Sequence, residues 1–250
     1  MLAVSALCPN ALALEYPSFY LVFQALTLGE VDAIVLPIEN SINGGVMQNI
    51  DLLQQSDNLI AVKECKIKID HRLIYLKGAN LSKIKTVYSH SQALAQCAKF
   101  LQKNFPNAKQ VATPSTSGCI EMINSPEEVG IVGAHYSVNG FEISQYGVAD
   151  EPSNYTQFLL VVNGREEMIA EHERIYFSFT CPHEPGALLK MLTVLEEINM
   201  TKIESRPIKE RVGEFRFFIE VFGNLKDSKV KNALLSLSQK ATSFKILGCY

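Results

Sequence analysis

Basic residues are missing from the first quarter of the sequence, where no lysine or arginine occurs before Lys63. Over the whole chain of 250 residues, 23 Lys and Arg stand against 26 Asp and Glu, which gives a net charge of -3 at pH 7. A chain without a basic stripe offers little attraction to a phosphate backbone. We therefore do not expect nucleic acid to be a partner.

The six cysteines include no C-x-x-C pair, which excludes the usual zinc-ligand spacing and the framework of a small disulfide-bonded scaffold. We interpret them as reduced core thiols. No apolar run reaches the roughly 18 to 20 residues that a membrane span needs. The first residues are apolar but lack the cationic region of a signal peptide, and Glu15 follows closely. These absences favour a cytoplasmic protein.

The composition is that of a globular protein, because 47% of the residues are hydrophobic and 20% are charged. Residues 18–29 repeat apolar side chains at helical spacing from Phe19 onward, with Ser18 as a possible N-cap and Gly29 as a C-cap. Residues 32–38 are nearly all apolar, which predicts a buried strand that is covered on both faces. A helix followed by such a strand indicates an α/β fold.

This alternation continues through the middle of the chain, and strands alternating with helices predict a mainly parallel sheet. Ligands of such sheets bind beyond the carboxyl ends of the strands. The predicted elements are strands at 85–88 and 129–132 and helices at 92–104 and 118–124.

A charged stretch at 164–174 resembles an exposed linker, and the pattern after it has the βαββαβ order of the ferredoxin-like split βαβ motif. The strands of this order are predicted at 175–180, 202–206, 214–222 and 244–247, and the helical stripes at 188–195 and 230–237.

Four segments, in this order and spacing, together resemble the prephenate dehydratase family across nearly the whole chain. They are Leu-Pro-Ile-Glu-Asn-Ser at 36–41, Tyr-Ser-His-Ser-Gln-Ala-Leu-Ala-Gln-Cys at 88–97, Asn-Tyr-Thr-Gln-Phe at 154–158 and Glu-Ser-Arg-Pro at 204–207. A further segment, 112–117, falls where the family has another cleft loop.

The resemblance implies an α/β fold with two parts. Residues 1–165 would form a two-lobed, periplasmic-binding-protein-like dehydratase domain, and residues 174–250 a ferredoxin-like ACT regulatory domain. The family usually begins with a strand and a Gly-Pro-x-Gly-Thr loop, whereas this sequence starts inside the region that follows. We therefore expect the sheet to lack that first strand.

The resemblance also implies the reaction, in which prephenate loses water and carbon dioxide to give phenylpyruvate in L-phenylalanine biosynthesis. This chemistry needs no metal, hydride carrier or covalent nucleophile, so no cofactor is expected, and preorganised hydroxyl and amide groups are chemically sufficient. On the family's pattern Thr156 is the catalytic residue, acting on the leaving hydroxyl or orienting a proton donor. The residues implied to bind substrate are Glu39, Asn40, Ser41, Ser89, Gln96, Ser115, Thr116, Gln157 and Phe158.

Each of these residues also has an ordinary structural interpretation. A threonine in a strand is more often structural, and the segments at 39–41 and 115–117 equally fit turns and helix caps. Gln157 departs from the family, which has Thr-Arg-Phe where this chain has Thr156, Gln157 and Phe158. Glutamine lacks the charge and the bidentate fork of arginine, a loss of about 1.5 to 3 kcal/mol toward a carboxylate unless the family's arginine is structural.

The C-terminal part resembles the effector-binding segments of ACT domains in this family. Phenylalanine would bind between paired domains, which implies a homo-oligomer and feedback inhibition. A non-catalytic phenylalanine-binding regulator and an arogenate dehydratase remain alternatives, and a solute-binding protein is a third reading that leaves the C-terminal pattern unexplained. The residues implied to bind the effector are Gly186, Ala187, Leu188, Glu204, Ser205, Arg206 and Pro207.

Overall fold

The computed structural model describes residues 1–164, 172–209 and 211–250, so most of the predicted linker at 164–174 lies outside the described residues. The chain divides into two compact units. The first, unit 1, contains residues 1–67 together with 157–250, and the second, unit 2, contains residues 68–156. These units differ from the two domains inferred from the sequence, 1–165 and 174–250. The division into those two domains stays a prediction.

Unit 1 begins with helices and strands close to those predicted. The helix at 19–27 is capped by Ser18, whose hydroxyl accepts the N–H of Leu21 at 3.3 Å, and Gly29 follows it with φ +73°. The elements of this part are α1 (Leu2–Leu7), α2 (Phe19–Thr27), β1 (Ala33–Asn40), β2 (Gly44–Gly45), α3 (Met47–Gln55) and β3 (Leu59–Lys68).

The expectation that the first strand is covered on both faces is wrong. Burial along β1 alternates, so that Ile34, Leu36 and Ile38 are buried whereas the residues between them are only partly covered. The run of apolar letters hid this alternation because Val35 and Pro37 are apolar but lie on the less covered face.

The C-terminal part of unit 1 has the predicted βαββαβ order. After unit 2 the chain re-enters unit 1. Its remaining elements are β9 (Tyr155–Asn163), β10 (Arg174–Thr180), α6 (Ala187–Thr193), β11 (Met200–Pro207), β12 (Phe215–Phe222), α7 (Ser228–Lys240) and β13 (Ser243–Cys249).

Strands β1 to β3 and β9 to β13 form one sheet with the order β11-β12-β10-β13-β3-β9-β1-β2. Strand β10 pairs antiparallel with both β12 and β13, whereas β13 pairs parallel with β3. Strand β10 is buried on both faces, since Tyr176 packs in the core with α2 and α3 and Phe177 packs in the core with α6 and α7. The sheet thereby carries one hydrophobic core on each face.

Unit 2 contains a five-stranded sheet with the order β6-β5-β7-β4-β8. Strand β5 is parallel to β6 and β7, but β4 is antiparallel to β7 and β8. The prediction of a mainly parallel sheet is therefore wrong, and both sheets are mixed. The elements are β4 (His71–Leu76), β5 (Thr86–Ser89), α4 (Ser91–Gln96), α5 (Ala98–Asn104), β6 (Lys109–Ala112), β7 (Glu128–Gly133) and β8 (Phe141–Ile143), with short 3-10 helices at Leu81–Lys83 and Ser117–Met122.

Two predicted helices of unit 2 differ in form. The helix predicted at 92–104 is broken at Cys97, because the carboxylate of Asp150 accepts the N–H groups of Lys99 and Phe100 at 2.9 Å each and so forms a new helix start there. The helix predicted at 118–124 is a 3-10 helix.

Candidate functional site

The segment after β1 is a tight turn built by Asn40. Its side-chain oxygen accepts the N–H groups of Ile42 at 3.2 Å and Asn43 at 3.1 Å. Gly44 has φ +75°, which an L-residue rarely adopts, and it pairs across the hairpin with Asn40. The side chain of Asn40 thus fixes the backbone on which the neighbouring Glu39 and Ser41 are carried.

Glu39 contacts the C-terminal part of unit 1. Its carboxylate lies 2.8 Å from the ammonium of Lys202, and the same ammonium lies 3.4 Å from the carboxylate of Glu204. Lys202 is only 9% exposed, whereas Glu39 is 37% exposed. A residue predicted to bind substrate and a residue predicted to bind effector therefore share one buried cation.

Gln157 lies in a buried polar cluster of unit 1. Its side-chain N–H donates to Glu64 at 2.7 Å and to Glu220 at 3.5 Å. Arg174 pairs with both carboxylates, at 3.0 Å and 2.6 Å respectively. The amide therefore has a structural partner where the family has an arginine, and a role for Gln157 in substrate binding stays a prediction. The adjacent Phe158 is partly buried in β9.

Glu220 is the most buried carboxylate of this cluster. It accepts hydrogen bonds from Thr201 at 2.5 Å, from Tyr250 at 2.7 Å and from Arg174 at 2.6 Å. Burial alone would raise the pKa of Glu220, but these hydrogen bonds and the Arg174 charge lower it below its ordinary value. The cluster keeps Glu220 ionised.

In unit 2, Ser89 and Gln96 have internal partners. The hydroxyl of Ser89 is fully buried and donates to the carbonyl of Ile131 at 2.7 Å, which ties β5 to β7. The side-chain oxygen of Gln96 lies 2.8 Å from Nε2 of His71. His90, rather than Ser89, caps α4 by accepting the N–H of Gln92. His71 was not foreseen, because nothing in its sequence context indicates this pairing.

The loop at 115–117 forms a hydroxyl-rich turn. Ser115 accepts the N–H of Gly118 at 2.9 Å, and its hydroxyl lies 3.3 Å from that of Ser117. Thr116 precedes the 3-10 helix without a side-chain cap bond. Thr156 is the second residue of β9 and is 9% exposed. The turn and the buried Thr156 both belong to unit 2. Their sequence segments are among those that resemble the prephenate dehydratase family.

Four of the seven predicted effector residues line two separate cavities of unit 1. Ala187 and Leu188 line one of about 140 Å³, while Arg206 and Pro207 line one of about 500 Å³. The four predicted effector residues on β11 are divided between the two faces of the strand. Glu204 and Arg206 are partly buried, whereas Ser205 and Pro207 are exposed. Gly186 has φ +76° and directly precedes α6.

None of the helices in the described parts of the chain has both the length and the hydrophobicity that a membrane span requires. Within the same residues, no three His, Cys, Asp or Glu side chains are grouped so that they could hold a metal ion.

The two mixed sheets and their helices define an α/β protein whose fold matches solved structures of prephenate dehydratases. A family model described as prephenate dehydratase matches residues 1–166, and the chain belongs to that family.

Known relatives agree with this assignment. A bifunctional chorismate mutase/prephenate dehydratase of Neisseria gonorrhoeae is 32% identical over 91% of this chain and 64% of its own length. The chain thus spans less than two thirds of the length of the first curated relatives it matches, 64% in each case.

Two solved structures are similar over nearly the whole chain. A prephenate dehydratase from Arthrobacter aurescens in complex with L-Phe has a TM-score of 0.85 and 28% identity, over 97% of this chain and 82% of that one. GqqA, described as a novel type of quorum quenching acylase, has a TM-score of 0.85 and 26% identity, over 100% of this chain and 92% of that one.

Proposed function

We propose that this protein is a prephenate dehydratase that converts prephenate to phenylpyruvate, carbon dioxide and water. The observation that carries the proposal is the family match over residues 1–166, which includes Thr156 and every residue inferred to bind substrate. Because relatives with these names are biosynthetic enzymes, we also propose the cytoplasm as its location.

In this function the protein holds a dianion and assists departure of the ring hydroxyl, while aromatisation drives loss of the carboxylate. The Thr156 hydroxyl would donate to the leaving oxygen or orient a proton toward it. Gln96 and the hydroxyls of Ser115 and Thr116 would bind a substrate carboxylate through hydrogen bonds without adding charge. Asn40 would act indirectly, since its side chain fixes the turn that carries Glu39 and Ser41.

We further propose that the βαββαβ segment is an ACT domain that binds L-phenylalanine between two copies of the chain. The relative solved with L-Phe supports phenylalanine as the effector. The alternating exposure along β11 supports a site shared between two copies. Ser205 and Pro207 are exposed on one face of the strand and are therefore accessible to a second copy. A homodimer is the smallest assembly that fits.

The decisive experiment follows phenylpyruvate absorbance after the purified protein is mixed with prephenate, with and without phenylalanine. Turnover above the uncatalysed background that phenylalanine lowers is the expected result. Turnover of arogenate in preference to prephenate would assign the alternative substrate. Phenylalanine binding without turnover of either would replace the proposal by the non-catalytic regulator.

A second candidate function comes from the likeness to the quorum quenching acylase. An acylase cleaves an amide, so the test is release of free amine from an acylated amine substrate. Amine release without prephenate turnover would favour this candidate over a dehydratase.

A further inference from the structure

Strand β11 presents a row of charged side chains to the N-terminal part of unit 1. Side chains of a strand alternate between its faces, so Lys202, Glu204 and Arg206 share the partly buried face. Lys202 pairs with Glu39 at the end of β1, and Arg206 pairs with Asp51 of α3 at 2.8 Å. The row therefore contacts the turn after β1 on one side and the helix that follows it on the other.

The environment of Lys202 makes it sensitive to the state of Glu204. Its ammonium lies between two carboxylates, at 2.8 Å from Glu39 and 3.4 Å from Glu204, and 5.7 Å from the centre of the Tyr176 ring. A buried ammonium needs a nearby anion, because taking the charge out of water is costly. Two carboxylates thus compete for one cation, so a displacement of Glu204 changes how strongly Lys202 holds Glu39.

Glu204 also lies against the backbone of the turn. A Cβ built on Gly45 would come within 2.8 Å of a carboxylate oxygen of Glu204, so the absence of a side chain at Gly45 permits this approach. A displacement of Glu204 would act on the turn through Gly45 as well as through Lys202.

We propose that Lys202 is a positioning residue that couples the effector segment to the substrate segment by sharing its charge between Glu204 and Glu39. The proposal rests on the proposed function and adds its regulation. Phenylalanine bound beside Ser205 and Pro207, on the exposed face of β11, shifts the strand so that Glu204 moves away from Lys202, and Lys202 then pairs with Glu39 alone. This draws Glu39 toward β11 and away from substrate.

The test compares Lys202→Met with Lys229→Met. Lys229 is an exposed lysine of the same part of the chain that pairs with the exposed Glu197 at 3.0 Å, so its loss controls for removal of an ion pair. Three quantities are measured: phenylalanine affinity by calorimetry, the phenylalanine concentration for half inhibition, and amide hydrogen exchange of residues 39–45 with and without phenylalanine.

Lys202→Met should still bind phenylalanine but require at least about tenfold more of it for half inhibition, which lies within the usual range of allosteric coupling. Its exchange response at 39–45 should be lost. Lys229→Met should behave as wild type in all three measurements, and Lys202→Arg, which keeps the charge, should restore most of the inhibition. A merely structural lysine would change affinity and inhibition together.

An inhibition profile and an exchange response that survive in Lys202→Met would overturn the proposal. If Lys202→Met does not fold, Glu204→Gln takes its place and should reduce the exchange response at 39–45 more than it reduces affinity; parallel losses would count against coupling. A wild type without turnover refutes the dehydratase function alone, because the exchange response of 39–45 to phenylalanine still tests the coupling. Wild type that binds no phenylalanine refutes the coupling.

Discussion

Thr156 is the side chain on which the proposed chemistry depends most. It is nearly buried in β9, where valine fits the same space without a hydroxyl. We expect Thr156→Val to lower turnover by about 10²- to 10⁴-fold, the usual contribution of a positioned proton donor or acceptor. Phenylalanine binding should persist, and phenylpyruvate formation and calorimetry measure the two effects.

Thr180→Val is the matched control for this prediction. Thr180 is also a buried strand threonine, and its hydroxyl bonds to that of Ser243 at 2.8 Å in the C-terminal part of the chain. Removing it should lower stability by about 1 kcal/mol, as expected for one hydrogen bond, and leave turnover intact. Equal turnover in Thr156→Val and wild type would remove Thr156 from catalysis.

The start of α6 depends on the backbone conformation of Gly186. Its φ of +76° is strained for an L-residue, although no atom would meet a Cβ there. Gly186→Ala should therefore lower the free energy of unfolding by about 1 to 2 kcal/mol through backbone strain alone. Because the same residue begins the predicted effector segment, phenylalanine affinity should fall too.

Gly78→Ala in unit 2 separates these two effects. Gly78 has φ +78° and an equally open surrounding, so the same substitution produces the same strain. Urea unfolding should show similar destabilisation in both variants, while calorimetry should show weaker phenylalanine binding in Gly186→Ala alone. Unchanged affinity in that variant would exclude Gly186 from the effector site.

The elements that could be predicted from the sequence are those fixed by local patterns. The helix at 19–27 with its Ser18 cap and the βαββαβ order follow from apolar spacing and turn residues. The break at Cys97 could not be predicted, because it depends on Asp150, more than fifty residues along the chain. The prediction of parallel strands was wrong for the same reason. Hydrophobic periodicity indicates which face of a strand is buried, but not which neighbour the strand pairs with.

The candidate site shows the same limit. Its segments could be found by resemblance, and Asn40 forms a turn, one of the two structural roles that the sequence also allowed for this segment. The partners His71 of Gln96 and Lys202 of Glu39 could not be found, because each pair joins residues far apart in sequence. The sequence contains one weak indication for Lys202. It is a charged residue at one of the alternating positions of β11 that are partly buried in the structure.

At the scale of the whole molecule, the polar cluster around Glu220 joins segments of unit 1 that are far apart in sequence. Glu64 of β3 and Gln157 of β9 meet Arg174 of β10, Glu220 of β12 and the last residue, Tyr250. These contacts connect the N-terminal strands of unit 1 with the βαββαβ segment. The cluster should therefore govern how the stability of unit 1 depends on pH.

The pKa of Glu220 is lowered in the folded protein, because hydrogen bonds and Arg174 outweigh its burial. A carboxylate with a lowered folded pKa contributes stability above its unfolded pKa, near 4.3, and that contribution is lost as the pH falls through the folded value. Glu220→Gln should thus lower the free energy of unfolding by roughly 3 kcal/mol at pH 7, the lower end for breaking a buried ion pair. The deficit should shrink progressively as the pH falls below about 4.3.

Urea unfolding followed by circular dichroism from pH 7 down to pH 3 measures this difference. Glu184→Gln is the control, since Glu184 pairs at 3.3 Å with Lys190 and both are largely exposed, and such surface pairs contribute at most about 1 kcal/mol. A Glu220→Gln deficit that stays constant with pH would show that the lost stability comes from packing and not from the charge. A deficit that narrows with acid, beside a flat control, would identify the Glu220 charge as what holds β3 and β9 to the βαββαβ segment.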